Sequence, residues 1–98
     1  MLTGKQRSYL KSIANKTKPI TQIGKEGVTD AFLNQLDDAL EAREIVKVTV
    51  LENSGLEVKK TASEVAKAVR AEFVQAIGSK FTIYRKSINK PKIELPKK

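Results

Sequence analysis

Apolar positions recur along this chain in two rhythms, and their alternation predicts the order of its elements. Leu10, Ile13 and Ala14 stand at helical spacing behind Thr3 and Gln6, a pair placed to close a capping box. A first helix is predicted there, with Lys5, Lys11 and Ser12 off its apolar stripe. Pro19 disfavours helix at Lys18 and turns the chain into a short extended run, Ile20 to Ile23, the first strand. Gly24 and Gly27 interrupt the pattern. Thr29 then offers an oxygen to cap a second helix whose positive end suits Asp30 and whose apolar set is Phe32, Leu33, Leu36, Ala39 and Leu40. Val28 and Leu33 are spaced as a hydrophobic staple across its start, and it ends near Arg43.

Ile45 to Leu51 is β-branched and alternates at period two, with Val46, Val48 and Val50 on one face, which predicts a strand. Ser54 with Glu57 forms a second capping-box pattern ahead of Val58, Ala62, Val65, Ala66 and Val69, a third helix. Phe73 to Ile77 and Phe81 to Arg85 flank Gly78-Ser79-Lys80, read as a three-residue hairpin connection between antiparallel strands. The order is α-β-α-β-α-β-β. Helical crossovers require parallel neighbours, so the expected architecture is α/β, a two-layer sandwich with a mixed four-stranded sheet. From Lys86 onward Pro91, Pro96 and five lysines dominate, and Ile88, Ile93 and Leu95 look too scattered for a core face. Residues 1–87 therefore read as the domain and residues 88–98 as a flexible basic tail.

Composition narrows the chemistry. The 98 residues suit one domain with one core, and they include neither cysteine nor histidine. That removes thiolate and imidazole nucleophiles, bases and metal ligands together. Asp37 and Asp38 are adjacent but fall on the solvent side of the second helix, where like charges share no desolvated site. The reading is a non-enzyme that needs no cofactor and no metal. No run approaches the roughly 20 apolar residues of a membrane span, and no signal-peptide pattern follows Met1. A cytoplasmic monomer without membrane contact is expected.

Charge then suggests a partner. The net charge of +8 is unevenly spread: residues 1–27 hold six basic and one acidic side chain, residues 28–58 two and seven, and residues 59–98 eleven and three. An acidic middle between basic flanks predicts a two-faced surface, one side of which attracts polyanions. Gly24-Lys25-Glu26-Gly27 leaves a strand and opens a helix, where glycines let a phosphodiester approach the backbone and the helix end adds partial positive charge. A Gly-x-x-Gly loop of this kind clamps the nucleic-acid backbone in KH domains. It lacks the longer spacing and the Lys-Ser or Lys-Thr of a nucleotide-hydrolysing loop. Glu26 would repel phosphate unless it points away or pairs with a nearby lysine, for which Lys18 is the candidate. Tyr9 and Tyr84 are the two rings available for base stacking, since Phe32, Phe73 and Phe81 read as core. Phosphate-dominated binding favours shape over sequence, hence structured RNA. The competing reading is a protein-interaction module whose acidic second helix (Asp30, Asp37, Asp38, Glu41) docks a ribosomal protein or a GTPase.

Leu2-Thr3-Gly4-Lys5-Gln6-Arg7, Lys18-Pro19, Gln22-Ile23-Gly24-Lys25-Glu26-Gly27, Glu44-Ile45-Val46-Lys47-Val48 and Val74 to Gly78 through Tyr84-Arg85 together resemble the CRM domain family. The similarity to its bacterial stand-alone YhbY-like members runs over about residues 2–87. The resemblance implies a fold similar to the C-terminal domain of translation initiation factor three, RNA binding through the glycine loop, and association with ribosomal RNA in precursors of the large ribosomal subunit, as an assembly factor. It implies RNA-binding positions at Gly24, Lys25, Glu26 and Gly27, with neighbouring basic surface at Lys5, Lys18 and Arg85.

Overall fold

The computed structural model describes residues 2–97; Met1 and Lys98, the outer ends of the expected domain and tail, lie outside the described residues. Helix α1 spans Gly4–Ala14, strand β1 Thr21–Ile23, helix α2 Asp30–Arg43 and strand β2 Ile45–Val50. A 3₁₀ turn at Glu52–Ser54 leads to helix α3, Val58–Ala68, and then to strands β3, Glu72–Ile77, and β4, Lys80–Tyr84. The predicted order is the observed one. The sheet runs β1-β2-β4-β3, with β1 parallel to β2 and β4 antiparallel to both of its neighbours. β1, β2 and β3 therefore point the same way, as their helical crossovers demand.

Two of the three predicted caps form. Gln6 N–H donates to Thr3 Oγ1 at 3.1 Å and Thr3 N–H to Gln6 Oε1 at 3.1 Å, completing the capping box. Phe32 N–H donates to Thr29 Oγ1 at 3.1 Å at the start of α2. The Ser54–Glu57 box does not form: Ser54 closes the 3₁₀ turn by donating to the Leu51 carbonyl at 2.7 Å, and Glu57 caps α3 without a side-chain bond. Gly55, left-handed between them, separates the turn from the helix. The hairpin is also tighter than expected. Ile77 pairs directly with Lys80, so only Gly78 and Ser79 connect β3 to β4, and Gly78 takes φ +59°.

Alternation along the strands divides the core. Val46, Val48, Val50, Phe81 and Ile83 face α2 and α3 together with Leu36, Leu40, Ala62 and Val65. Ile45, Val74 and Tyr84 point the other way, onto Leu10 and Ala14 of α1. To the two predicted layers α1 thus adds a partial third, over the half of that sheet face where β2 begins. The segment expected as a loose tail supplies the rest of this cover. Ile93 and Leu95 pack into the same cluster, and Gln6 Nε2 donates to the Pro96 carbonyl at 3.1 Å. Their spacing matched neither a helix nor a strand because the segment packs as irregular chain, held by its backbone.

Candidate nucleic-acid interface

Gly24 to Gly27 form a reverse turn at the end of β1, closed by Gly27 N–H donating to the Gly24 carbonyl at 2.9 Å. Gly27 has φ +71°, so the turn needs glycine there. Gly24 has no such φ, and an added Cβ would sit 3.5 Å from Leu51 Cδ1, an ordinary contact. Nothing lies within 4 Å of a Cβ at Gly27. The turn is anchored beneath by Leu51 N–H donating to the Ile23 carbonyl at 2.8 Å. The N–H groups of Lys25 and Glu26, at its outer corner, have no acceptor among the described residues. Three residues after Gly27 α2 begins, so free amides and the positive end of a helix share one exposed edge.

The loop's own charges nearly cancel. Lys25, Glu26 and Asp30 are all exposed, one positive against two negative. Glu26 has no ion pair with Lys18, which lies before β1, at the strand end away from the loop. Lys5, on the first turn of α1, sits near the start of β3, where Leu2 N–H donates to Glu72 Oε1 at 3.0 Å. It too is at the far end of the sheet.

Arg85 is the expected contact that departs most from a free basic surface. It follows β4 at that far end and its side chain is only 14% exposed, paired with Asp37 at 3.2 Å and Glu41 at 3.3 Å. It also donates to the Asp37 carbonyl at 3.1 Å. Committed to two carboxylates and a carbonyl, Arg85 engages two of the four acidic side chains of the second helix, Asp37 and Glu41. The groove over this acidic face, lined by Asp37, Asp38 and Glu41, is lined equally by Arg70, Arg85 and Lys86. Tyr84 is a second departure. It is buried against α1, and its hydroxyl is pushed above the ordinary tyrosine range by burial and by the charge of Glu44. Of the two candidate rings only Tyr9 stays exposed.

The structure sets Lys18 beside three basic positions not singled out from the sequence, Lys16, Lys47 and Lys80. Lys47 and Lys80 lie on the sheet face opposite the main core, and Lys16 and Lys18 lie on the connection that crosses it. The signal existed in β2, where alternation sets Lys47 and Thr49 against Val46, Val48 and Val50. That alternation served only to find the core.

The sequence pattern of the CRS1/YhbY (CRM) domain matches residues 2–85 of this chain. The chain is 44% identical over 96 residues to a Bacillus subtilis protein named Probable RNA-binding protein YqeI, covering 98% of this chain and 100% of that one. It is 31% identical over 97 residues to an RNA-binding protein of Haemophilus influenzae, covering 99% and 97%. The solution structure of SAV1595 from Staphylococcus aureus superimposes with a TM-score of 0.78 at 45% identity, over 98% of this chain and 100% of that one.

Proposed function

The chain belongs to the CRS1/YhbY (CRM) domain family, and from that premise we propose that it binds RNA, holding the backbone at the Gly24–Gly27 turn without performing chemistry on it. The observation that carries the reading is the pair of unengaged amides at Lys25 and Glu26 beside the capped start of α2. Such an edge accepts phosphate oxygens by hydrogen bonding and needs no reacting group. Relatives named as RNA-binding proteins support it along nearly their full length. Ribosomal RNA in precursors of the large subunit is the proposed target and the cytoplasm the proposed setting. That finer part rests on the family resemblance.

The test is the affinity for purified large-subunit ribosomal RNA, at one fixed moderate salt, of wild type and of Gly24→Asp/Lys25→Asp. Neither position needs glycine's conformations, so the variant is expected to fold. A tenfold loss, about 1.4 kcal/mol, is expected. Unchanged affinity in a folded variant reduces the loop to a turn.

A further inference from the structure

The loop has free donors but no surplus of positive charge, so RNA held there must find its counter-charge elsewhere. Four residues form one row across all four strands on the sheet face opposite the main core. Gln22 is in register with Thr49, Thr49 with Lys80, and Lys80 with Ile77. The row spans three inter-strand gaps, about 14 Å. No helix covers it: Gln22 and Lys80 are exposed, and Ile77 is 63% exposed, the second most open large apolar side chain described. One row further down, Thr82 is already buried.

What closes the lower side of this row is the connection from α1 to β1. It starts beside β3, where Gln75 Nε2 donates to Asn15 Oδ1 at 3.2 Å. It ends beside β2, where Ile20 N–H donates to the Lys47 carbonyl at 3.0 Å. The chain thus crosses the sheet face as a wall and carries exposed Lys16 and Lys18. Floor and wall together hold Lys16, Lys18, Lys47 and Lys80 and no carboxylate. At the β1 edge the row reaches Gln22, two residues before Gly24.

We infer that this trough is a second half of the RNA site, in which the sugar-phosphate backbone leaving the Gly24–Gly27 turn runs across the strands over Gln22, Thr49 and Lys80. Lys47 and Lys80 neutralise phosphates, Gln22 and Thr49 offer hydrogen bonds to sugar or phosphate oxygens, and Ile77 gives the far end an apolar surface for a ribose or base. Four lysines without an opposing acid form a surface complementary to a polyanion, and the polar floor distinguishes it from a protein-docking groove. The inference rests on the RNA reading of the loop and adds to it the source of the charge.

The experiment measures the salt dependence of binding to the same ribosomal RNA for wild type, Lys47→Ala/Lys80→Ala, the loop variant, and the control Arg43→Ala/Lys67→Ala. The control removes equal charge from the last turns of α2 and α3, which cover the other face. Thermal melts confirm folding of each. Two lost phosphate contacts lower the slope of log affinity against log salt by about 1.5. That fall in Lys47→Ala/Lys80→Ala, with the control unchanged, supports the trough. An equal fall in the control overturns it, since bulk charge then suffices. An unchanged slope, with affinity still lost in the loop variant, overturns the trough and leaves the loop reading standing. No binding by wild type overturns both.

Discussion

Glu44 accepts the backbone N–H of Ser87 at 2.8 Å, joining residues 43 apart in sequence. The same carboxylate accepts the N–H groups of Lys92 and Ile93 at 2.5 and 2.6 Å. Its own backbone caps α2 at φ 66°, a conformation unfavourable for a residue with a side chain. Glutamate is held there because the wholly buried carboxylate satisfies three N–H groups that the C-terminal segment brings in. Glu41, one turn earlier, does the same for Ile88 and Asn89, each at 3.0 Å. Two carboxylates at the end of one helix thus hold the chain's last stretch against the body.

Glu44→Ala removes the acceptor and keeps the strained backbone. It is expected to lower the unfolding free energy by roughly 3 kcal/mol, since three N–H groups lose their partner. Glu44→Gly relieves the strain but not the loss, and should fall about 1 kcal/mol short of that damage. Urea unfolding of the three proteins checks both the size and the order.

Acid should loosen this clasp. The N–H of Ile88, the Ser87 hydroxyl and the N–H of Asn89 hold the Glu41 carboxyl down from 4.5 to about 2. Burial alone would raise the Glu44 carboxyl, but the N–H groups of Ser87, Ile93 and Lys92 bring it below its ordinary value. Both pKa values are depressed by folding, so their stabilisation is whole above pH 4.5 and is lost as the pH falls toward about 2. Melting temperatures across that window should decline in wild type and decline less in Glu41→Gln. Parallel curves would count against the assignment.

The two loop glycines should separate stability from binding. Gly27→Ala forces a side chain into φ +71° and is expected to cost about 1 kcal/mol of stability. Gly24→Ala meets only an ordinary contact and should unfold like wild type. Any loss of RNA affinity in Gly24→Ala, measured by filter binding, then reports on the approach of the ligand rather than on the fold.

Arg85→Ala should do the reverse. Its guanidinium is paired with Asp37 and Glu41, so its removal is expected to cost roughly 1 kcal/mol of stability. RNA affinity should change less than twofold. A tenfold weakening in a folded variant would return Arg85 to the interface.

Local chemistry determined what is local. Thr3 with Gln6 and Thr29 mark helix starts because caps depend on residues a few positions apart, and Val46, Val48 and Val50 mark a core strand because pleating fixes which side each faces. The turn at Gly24–Gly27 was legible for the same reason. Ser54 and Glu57 misled, because Gly55 lets the chain form a separate 3₁₀ turn before the helix begins. Tertiary structure alone decided the rest. The C-terminal segment carries no periodicity to read, since its backbone N–H groups, which every residue possesses, are what Glu41 and Glu44 bind. Arg85 looks like any basic residue until β4 delivers it to Asp37 and Glu41. Lys16, Lys47 and Lys80 become one surface only because strand order and register bring together positions up to 64 residues apart in the numbering. No local rule contains that distance.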